Sequence, residues 1–348
     1  MNIVIATDAW FPQINGVVTT LDHTEHELRA GGHEVTLLTP QGFTTVPCPT
    51  YPEIRLALFP GRRIRTALDR LAPDAVHIAT EGPLGLAVRR WCVRRGFPFT
   101  TSFHTQFPEY LKLRTGVPLR AGYTLSRWFH KPADATLVPT ESVRRHLEQR
   151  GFGNLRLWSR GVDTELYRPR PRSIPDRPRP IFMYVGRVAV EKNIEAFLNL
   201  RLPGTCYVVG DGPDLDMLRR RYPLAVFTGF KTGEDLAQCF AAADVFVFPS
   251  RTDTFGLVLI EALACGVPVA AFPVQGPRDI IENGVTGILD ENLEQAALAA
   301  LSLDPQRCRQ AALRYTWSAC TRQFLDALRS SARRPAGTAS PAPGTPPN

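Results

Sequence analysis

Long apolar runs are missing from this 348-residue chain: none exceeds the length of a strand, so nothing approaches the ~20 apolar residues that span a bilayer as a helix. No signal-peptide pattern precedes the first strand-like run, Asn2 to Ala6, and a cytoplasmic location is the expectation. Cysteines are few and scattered (Cys48, Cys92, Cys206, Cys239, Cys265, Cys308 and Cys320). Their number is odd and no Cys-x-x-Cys occurs, which argues against a zinc site or a disulfide framework and for reduced packing thiols. The first strand-to-helix turn, Asp8 to Val17, lacks the Gly-x-Gly-x-x-Gly spacing of a dinucleotide fingerprint, which counts against a dehydrogenase. No recognisable nucleic-acid-binding module is present and the charge is not stripe-like, so nucleic acid is not the expected partner.

What is present is an ordinary soluble composition, 44% hydrophobic and 21% charged. The length exceeds the roughly 250–300 residues at which single cores stop growing, so two domains are expected. The net charge of +8 is uneven: residues 1–170 carry 22 Lys/Arg against 15 Asp/Glu, and residues 171–348 carry 19 against 18. A basic first half suits an anionic partner such as a membrane surface or a charged acceptor, although an Arg-rich proteome would produce the same excess.

Strand-like and helical runs alternate. Ile3–Ala6, Glu34–Leu38, Ile54–Leu58, Ala75–Ile78, Phe99–Phe103, Ala135–Val138 and Leu155–Trp158 read as strands. Helical runs stand between them near Val17–Ala30, Arg62–Leu71, Leu84–Arg95 and Ser142–Gln149. A Pro/Arg-rich stretch from Arg168 to Pro180 can neither join a sheet nor continue a helix and reads as a linker. A second set follows: strands at Ile181–Val185, Cys206–Val209, Ala225–Phe227, Val245–Phe248 and Val267–Phe272, with helices from Asn193, near Leu215–Arg221, from Glu234, from Phe255, and onward to about Arg329. This rhythm predicts an α/β protein of two doubly wound, Rossmann-like domains, residues 1–168 and 181–316, meeting along the carboxyl edges of their sheets. Residues 333–348 read as a disordered tail.

The stretch Pro249 to Pro268 carries an anion site. A buried strand feeds a helix-forming run, Phe255 to Ala264, that stops at Gly266. Thr252, Asp253 and Thr254 are N-cap types, and Gly256 leaves room for an oxyanion at the first-turn amides. Asp253 and Glu261, about two turns or 10–12 Å apart at 1.5 Å per residue, repel a phosphate and instead suit hydroxyls, sugar hydroxyls for Asp253 and a ribose for Glu261. In their plainer roles Asp253 caps the helix and Glu261 faces solvent. In Gly186 to Asn193, Arg187 and Lys192 flank a short loop opening a helix, so two cations can converge on one diphosphate. Gly16, just before a helix, lets the backbone close on phosphate or sugar from the opposite side. His104, past an apolar strand, can hydrogen-bond a substrate hydroxyl or help proton transfer from an acceptor.

Together the motifs resemble the family-4 retaining glycosyltransferases of the GT-B fold. They are Phe11-Pro12-Gln13-Ile14-Asn15-Gly16-Val17, Phe103-His104-Thr105, Arg160-Gly161-Val162-Asp163 ahead of Tyr167-Arg168-Pro169, Gly186-Arg187 to Asn193, Gly210-Asp211-Gly212-Pro213 and the Pro249–Pro268 block. The resemblance runs from residue 1 to about 330. It implies that Arg187 and Lys192 hold the donor diphosphate, with Gly16 and the backbone of Thr254, Phe255, Gly256 and Leu257 closing around phosphate and sugar. It further implies that Glu261 binds the ribose and Asp253 the donor sugar, that His104 lines the reaction centre, and that the run Trp317 to Arg329 crosses back to the first domain. Two departures stand out: the usual Glu-x7-Glu begins here with Asp253, and Arg160 stands where many relatives have Asn. The combination looks most like glycolipid glycosyltransferases and GDP-mannose-dependent α-mannosyltransferases.

Loss of the anomeric bond places negative charge on the departing diphosphate, which Arg187, Lys192 and helix amides stabilise electrostatically. No Asp-x-Asp is assigned beside the phosphates, so metal independence is expected, with no cofactor beyond the nucleotide sugar. For the acceptor, Arg62, Arg63 and Arg65 and the segment Tyr110–Lys131 combine cations with aromatic and aliphatic residues. Such a surface can lie on anionic lipid. The expected activity is transfer of a hexosyl group from a UDP- or GDP-sugar to a lipid or glycolipid such as diacylglycerol, on the inner face of the cytoplasmic membrane. The alternatives are a soluble α-mannosyltransferase acting on a small molecule or oligosaccharide, and a nucleotide-sugar epimerase of the same fold.

Overall fold

The computed structural model describes residues 1–13, 15–48, 51–171 and 177–332. Residues 172–176 of the sequence-assigned linker, and the whole of the 333–348 tail, lie outside the described residues.

The first lobe runs β1 (Asn2–Ala6), α1 (Gly16–Ala30), β2 (Glu34–Leu38), β3 (Thr45–Cys48), β4 (Tyr51–Ala57), α2 (Gly61–Leu71), β5 (Ala75–Ile78), α3 (Pro83–Arg95), β6 (Thr100–Ser102), α4 (Phe107–Thr115), α5 (Leu119–His130), β7 (Ala135–Val138), α6 (Glu141–Glu148) and β8 (Leu155–Leu157). Six strands pair in the order β2-β1-β5-β6-β7-β8, all parallel. The continuous apolar run of β1, buried at Ile3, Val4 and Ile5, is what a strand covered by helices on both faces requires. One face packs on α2, α3 and α5 through Ile64, Leu68, Val88, Trp91 and Phe129. The other packs on α1 through Leu21 and Leu28.

The run Ile54–Leu58 does not join this sheet. It belongs to β4, which pairs antiparallel with β3 as a separate hairpin. Both flanks of β1 are already taken by β2 and β5, so the run has no place beside the central strand.

The second lobe runs β9 (Ile181–Val185), a 3-10 turn (Val190–Lys192), α7 (Ile194–Leu198), β10 (Thr205–Val209), α8 (Leu215–Arg221), β11 (Val226–Gly229), α9 (Gly233–Ala242), β12 (Val245–Phe248), α10 (Leu257–Ala264), β13 (Val269–Ala271), α11 (Pro277–Ile280), β14 (Gly287–Leu289), α12 (Leu293–Ala300) and α13 (Pro305–Ala312). Its parallel sheet has the order β11-β10-β9-β12-β13-β14; the edge strand β14 has no counterpart in the sequence reading. The last helix, α14 (Trp317–Ala332), packs on the first lobe through Cys320, Phe324, Ala327 and Leu328.

The chain therefore passes between lobes twice, and the two passages lie side by side: Val162 N–H donates to Tyr315 C=O at 3.0 Å. A Cβ on Gly161 would come within 2.5 Å of the Trp317 nitrogen, so only glycine lets the passages touch. Arg309 of α13 donates to the carbonyls of Thr164, Tyr167 and Ala264, tying the first passage to the second lobe.

Candidate active site

In each sheet the direction of winding reverses beside the first strand, between β1 and β5 and between β9 and β12. Loops leaving the carboxyl ends of strands at such a reversal splay apart and leave a crevice. The residues singled out from the sequence lie on the loops after β1, β6, β9 and β12 or in the helical turns that those loops open.

On the second lobe, three hydrogen bonds knit the loop after β9 to the loop after β12. Lys192 Nζ donates to Asp253 Oδ1 at 2.5 Å, Asn193 Nδ2 to Pro249 C=O at 3.0 Å, and Thr252 Oγ1 to Glu191 C=O at 3.4 Å. Lys192 and Asp253 are thus fixed to each other, each mostly buried. Arg187 lies in the same loop, with Nη1 3.9 Å from the buried carboxylate of Glu191. Gly210 and Gly212 bring the loop after β10 into backbone contact, since a Cβ on either would run into Gly186 C=O or Val188 C=O.

The helix after β12 begins at Leu257, not at Phe255, and its N-cap is Gly256 (φ 87°) with no side-chain cap hydrogen bond. Asp253 is therefore not a cap; its carboxylate is drawn to Lys192 instead, and its Oδ2 is buried with no hydrogen-bond partner among the described residues. The separation of Asp253 from Glu261 is set by a loop followed by one helical turn, not by two turns of helix. Phe255 is buried, its ring edge-on to Tyr315 at 6.1 Å. Glu261 does not simply face water: part of the residue reaches the surface, but surrounding protein desolvates its carboxyl and pushes it up to about 7.

From the first lobe, Gly16 opens α1, where Asn15 Oδ1 accepts from the N–H groups of Val17 and Val18. A Cβ on Gly16 would stand 3.4 Å from Leu257 Cδ1, so the N-termini of α1 and α10 face each other across the cleft. The lobes also bond directly. Thr254 Oγ1 donates to His104 C=O at 2.5 Å, Gln106 Nε2 to Gln275 Oε1 at 2.8 Å, and Ser142 N–H to Asp279 Oδ1 at 2.9 Å, with Ser142 Oγ on Asp279 Oδ2. The imidazole of His104 stands edge-on to Trp158, with Nδ1 3.0 Å from Arg160 Nη2. Arg160 adds no open cation to the cleft, because its guanidinium is buried and donates to His104 and to the Trp158 and Ser159 carbonyls.

Gln106, Gln275, Ser142 and Asp279 carry no role in the motifs read from the sequence, and Asn15 stands in one without a role of its own. Asn-Gly ahead of a helical run is a readable N-cap signal, whereas the pairs between lobes join residues more than 130 positions apart and leave no local trace. The sequence does contain an Asp-x-Asp, Asp214-Leu215-Asp216; it lies where α8 begins, with Asp216 exposed.

The model of Glycosyltransferase Family 4 matches residues 14–166, and that of Glycosyl transferases group 1 matches residues 179–303. The sequence is 33% identical over 316 residues to a GDP-mannose-dependent alpha-mannosyltransferase of Mycobacterium tuberculosis, with 83% of each chain covered. The chain belongs to glycosyltransferase family 4.

This family-4 glycosyltransferase is also 27% identical, over 85% of its own length and 86% of the relative's, to an alpha-monoglucosyldiacylglycerol synthase of Acholeplasma laidlawii. Among solved structures, the sucrose-phosphate synthase of Thermosynechococcus elongatus superposes with a TM-score of 0.77 at 21% identity, covering 94% of this chain and 98% of that one. That likeness shows the two-lobed GT-B fold. Family membership replaces the epimerase alternative with glycosyl transfer.

Proposed function

We propose that the enzyme transfers a hexosyl group, with retention, from a UDP- or GDP-sugar to a lipid or glycolipid acceptor such as diacylglycerol. The observation that carries the donor half is the pairing of Lys192 with Asp253 just ahead of a helix whose first turn has no side-chain cap. A cation and the uncapped amino end of a helix at one strand end suit a diphosphate, which gains negative charge as the sugar leaves. Arg187 completes the cradle. Asp253 holds donor sugar hydroxyls through its unpartnered Oδ2, and Glu261 holds the ribose. The acceptor hydroxyl attacks from the side on which the diphosphate departs, and a diphosphate oxygen takes its proton. The 33% identity to a GDP-mannose-dependent relative favours GDP-mannose as the first donor to try and keeps a soluble α-mannosyltransferase as the second reading.

The acceptor half rests on charge and exposure in the first lobe. The adjoining helices α2, α3 and α5 carry four, four and two arginines against a single acid, Asp69, which is itself paired with Arg95. Arg89 of α3 bonds the Trp128 and Phe129 carbonyls, which makes the helices one layer. The same layer and the loop before it expose Phe59, Leu86, Val93, Leu125 and Trp128. Arginines interspersed with exposed apolar side chains suit the interface of an anionic membrane. No helix among the described residues is long and apolar enough to cross a membrane, so the attachment proposed is peripheral, on the inner face of the cytoplasmic membrane.

The test is a panel of nucleotide sugars scored by donor hydrolysis, then lipid extraction after incubation of the best donor with diacylglycerol vesicles. A labelled glycolipid supports the reading; a product confined to the aqueous phase supports the soluble alternative. Turnover that survives EDTA supports metal-independent transfer, and turnover that stops and returns with added Mg²⁺ or Mn²⁺ contradicts it.

A further inference from the structure

Arg160 sits in the passage from the first lobe to the second, and its side chain turns back into the protein. Nη1 donates to Trp158 C=O at 2.6 Å and to Ser159 C=O at 2.9 Å, Nη2 lies 3.0 Å from His104 Nδ1, and the guanidinium lies over the Trp158 ring at 4.8 Å from its centre. Contact between Gly161 and Trp317 at the start of α14 holds the neighbouring backbone in place. Burial lowers the guanidinium to about 10, so it stays charged at neutral pH.

A guanidinium has donors only. The His104 nitrogen facing it must therefore accept, and its lone pair cannot carry a proton. Burial, with the Arg160 charge beside it, holds the imidazole well below its ordinary value and so keeps it neutral. A neutral imidazole with Nδ1 bare has its proton on Nε2. That Nε2 is buried and has no hydrogen-bond partner among the described residues. Yet the residue is only part-buried, and its carbonyl accepts the inter-lobe bond from Thr254.

We propose that Arg160 is a positioning residue that fixes His104 as the Nε2–H tautomer, so that His104 donates a hydrogen bond to a substrate oxygen in the cleft and does not remove the acceptor's proton. A proton-accepting Nε2 would need its hydrogen moved to Nδ1, where it would point at a guanidinium N–H. The substrate oxygen rests on the glycosyl-transfer reading above; the tautomer does not.

The test begins with the full chain labelled with [¹⁵N]histidine and free of substrate, with His104 signals assigned by their loss in His104→Gln. Long-range ¹H–¹⁵N spectra between pH 6 and 8 should show Nδ1 unprotonated and Nε2 protonated. Arg160→Met should give mixed tautomers and lower kcat by roughly 10-fold or more, with the KM for GDP-mannose or UDP-glucose, whichever is hydrolysed, changed by less than about 3-fold. Arg160→Lys, which keeps a donor, should restore the Nε2–H pattern and part of kcat. His104→Gln, whose amide nitrogen falls near the Nε2 position, should exceed His104→Asn by on the order of 10-fold in kcat. A wild-type spectrum with Nδ1 protonated overturns the proposal, as does equal activity of the Gln and Asn variants. Should Arg160→Met not fold, the wild-type spectrum and the His104 pair decide alone. A correct tautomer in a protein that hydrolyses no nucleotide sugar contradicts the donor assignment and leaves the Arg160–His104 relation standing.

Discussion

Glu261, proposed above to hold the donor ribose, makes stability depend on pH. Its carboxyl, raised to about 7 by desolvation, still holds a proton in the folded protein at pH values where the unfolded chain has released it. The folded state binds more protons between the ordinary value of 4.5 and about 7, so stability falls as pH rises through that window. Glu261→Gln should remove the slope and leave the variant more stable than wild type above pH 7, by up to a few kcal/mol on the order of 1.4 kcal/mol per pH unit. Urea denaturation at pH 5 and pH 8 measures it; parallel curves for the two proteins would count against a desolvated carboxyl. Ribose hydroxyls donating to the carboxylate would pull the proton off, so donor binding near pH 6.5 should release protons into the buffer. At this scale the place of Arg187 and Lys192 at a strand end was legible because loop chemistry is local. The Arg160–His104 bond was not, because 56 positions separate its partners.

The proposed donor cradle depends on where α10 starts. Gly256 caps it at φ 87°, a backbone state that side chains resist, and a Cβ there would stand 3.1 Å from Leu259 Cδ1 and 3.2 Å from Phe248 Cζ. Gly256→Ala should lower stability by roughly 1–2 kcal/mol and weaken donor binding by shifting the first-turn amides. Thermal melts with and without the nucleoside diphosphate read both effects, and an unchanged melt would show that the loop adapts freely. The sequence placed this helix two residues early because Thr252, Asp253 and Thr254 are such good cap types; the pull of Lys192 on Asp253 overrode that preference. Parallel strands were readable from buried β-branched runs. The β3–β4 hairpin and the three-residue β14 were not, since a short apolar run says nothing of which strand it will pair with.

Across the whole molecule, side-chain bonds hold the lobes together beside the two chain passages, among them the Ser142–Asp279 pair, which joins α6 to α11 without any of the assigned donor residues. Asp279→Ala should loosen the seam, which small-angle scattering of the free protein would register as a larger radius of gyration, while kcat at saturating donor stays within about 3-fold of wild type. An unchanged scattering curve would mean that the remaining contacts, Thr254 and Gln106 among them, suffice to close the lobes. Two wound sheets facing across a crevice were legible from the alternation of elements, and family membership from ordered motifs. The arginine layer of α2, α3 and α5 was less so, because it forms only when three separated segments pack together.

The claim on which the rest depends is that Arg187, Lys192 and the amides of α10 stabilise a departing diphosphate. Steady-state glycosyl transfer by Arg187→Ala and Lys192→Ala, in EDTA and beside wild type, tests it most directly. In each variant kcat/KM should fall by on the order of 10²-fold or more, with the thermal midpoint near wild type for Arg187→Ala and lowered for Lys192→Ala, which leaves Asp253 without its lysine; kinetics equal to wild type would remove both cations from the site.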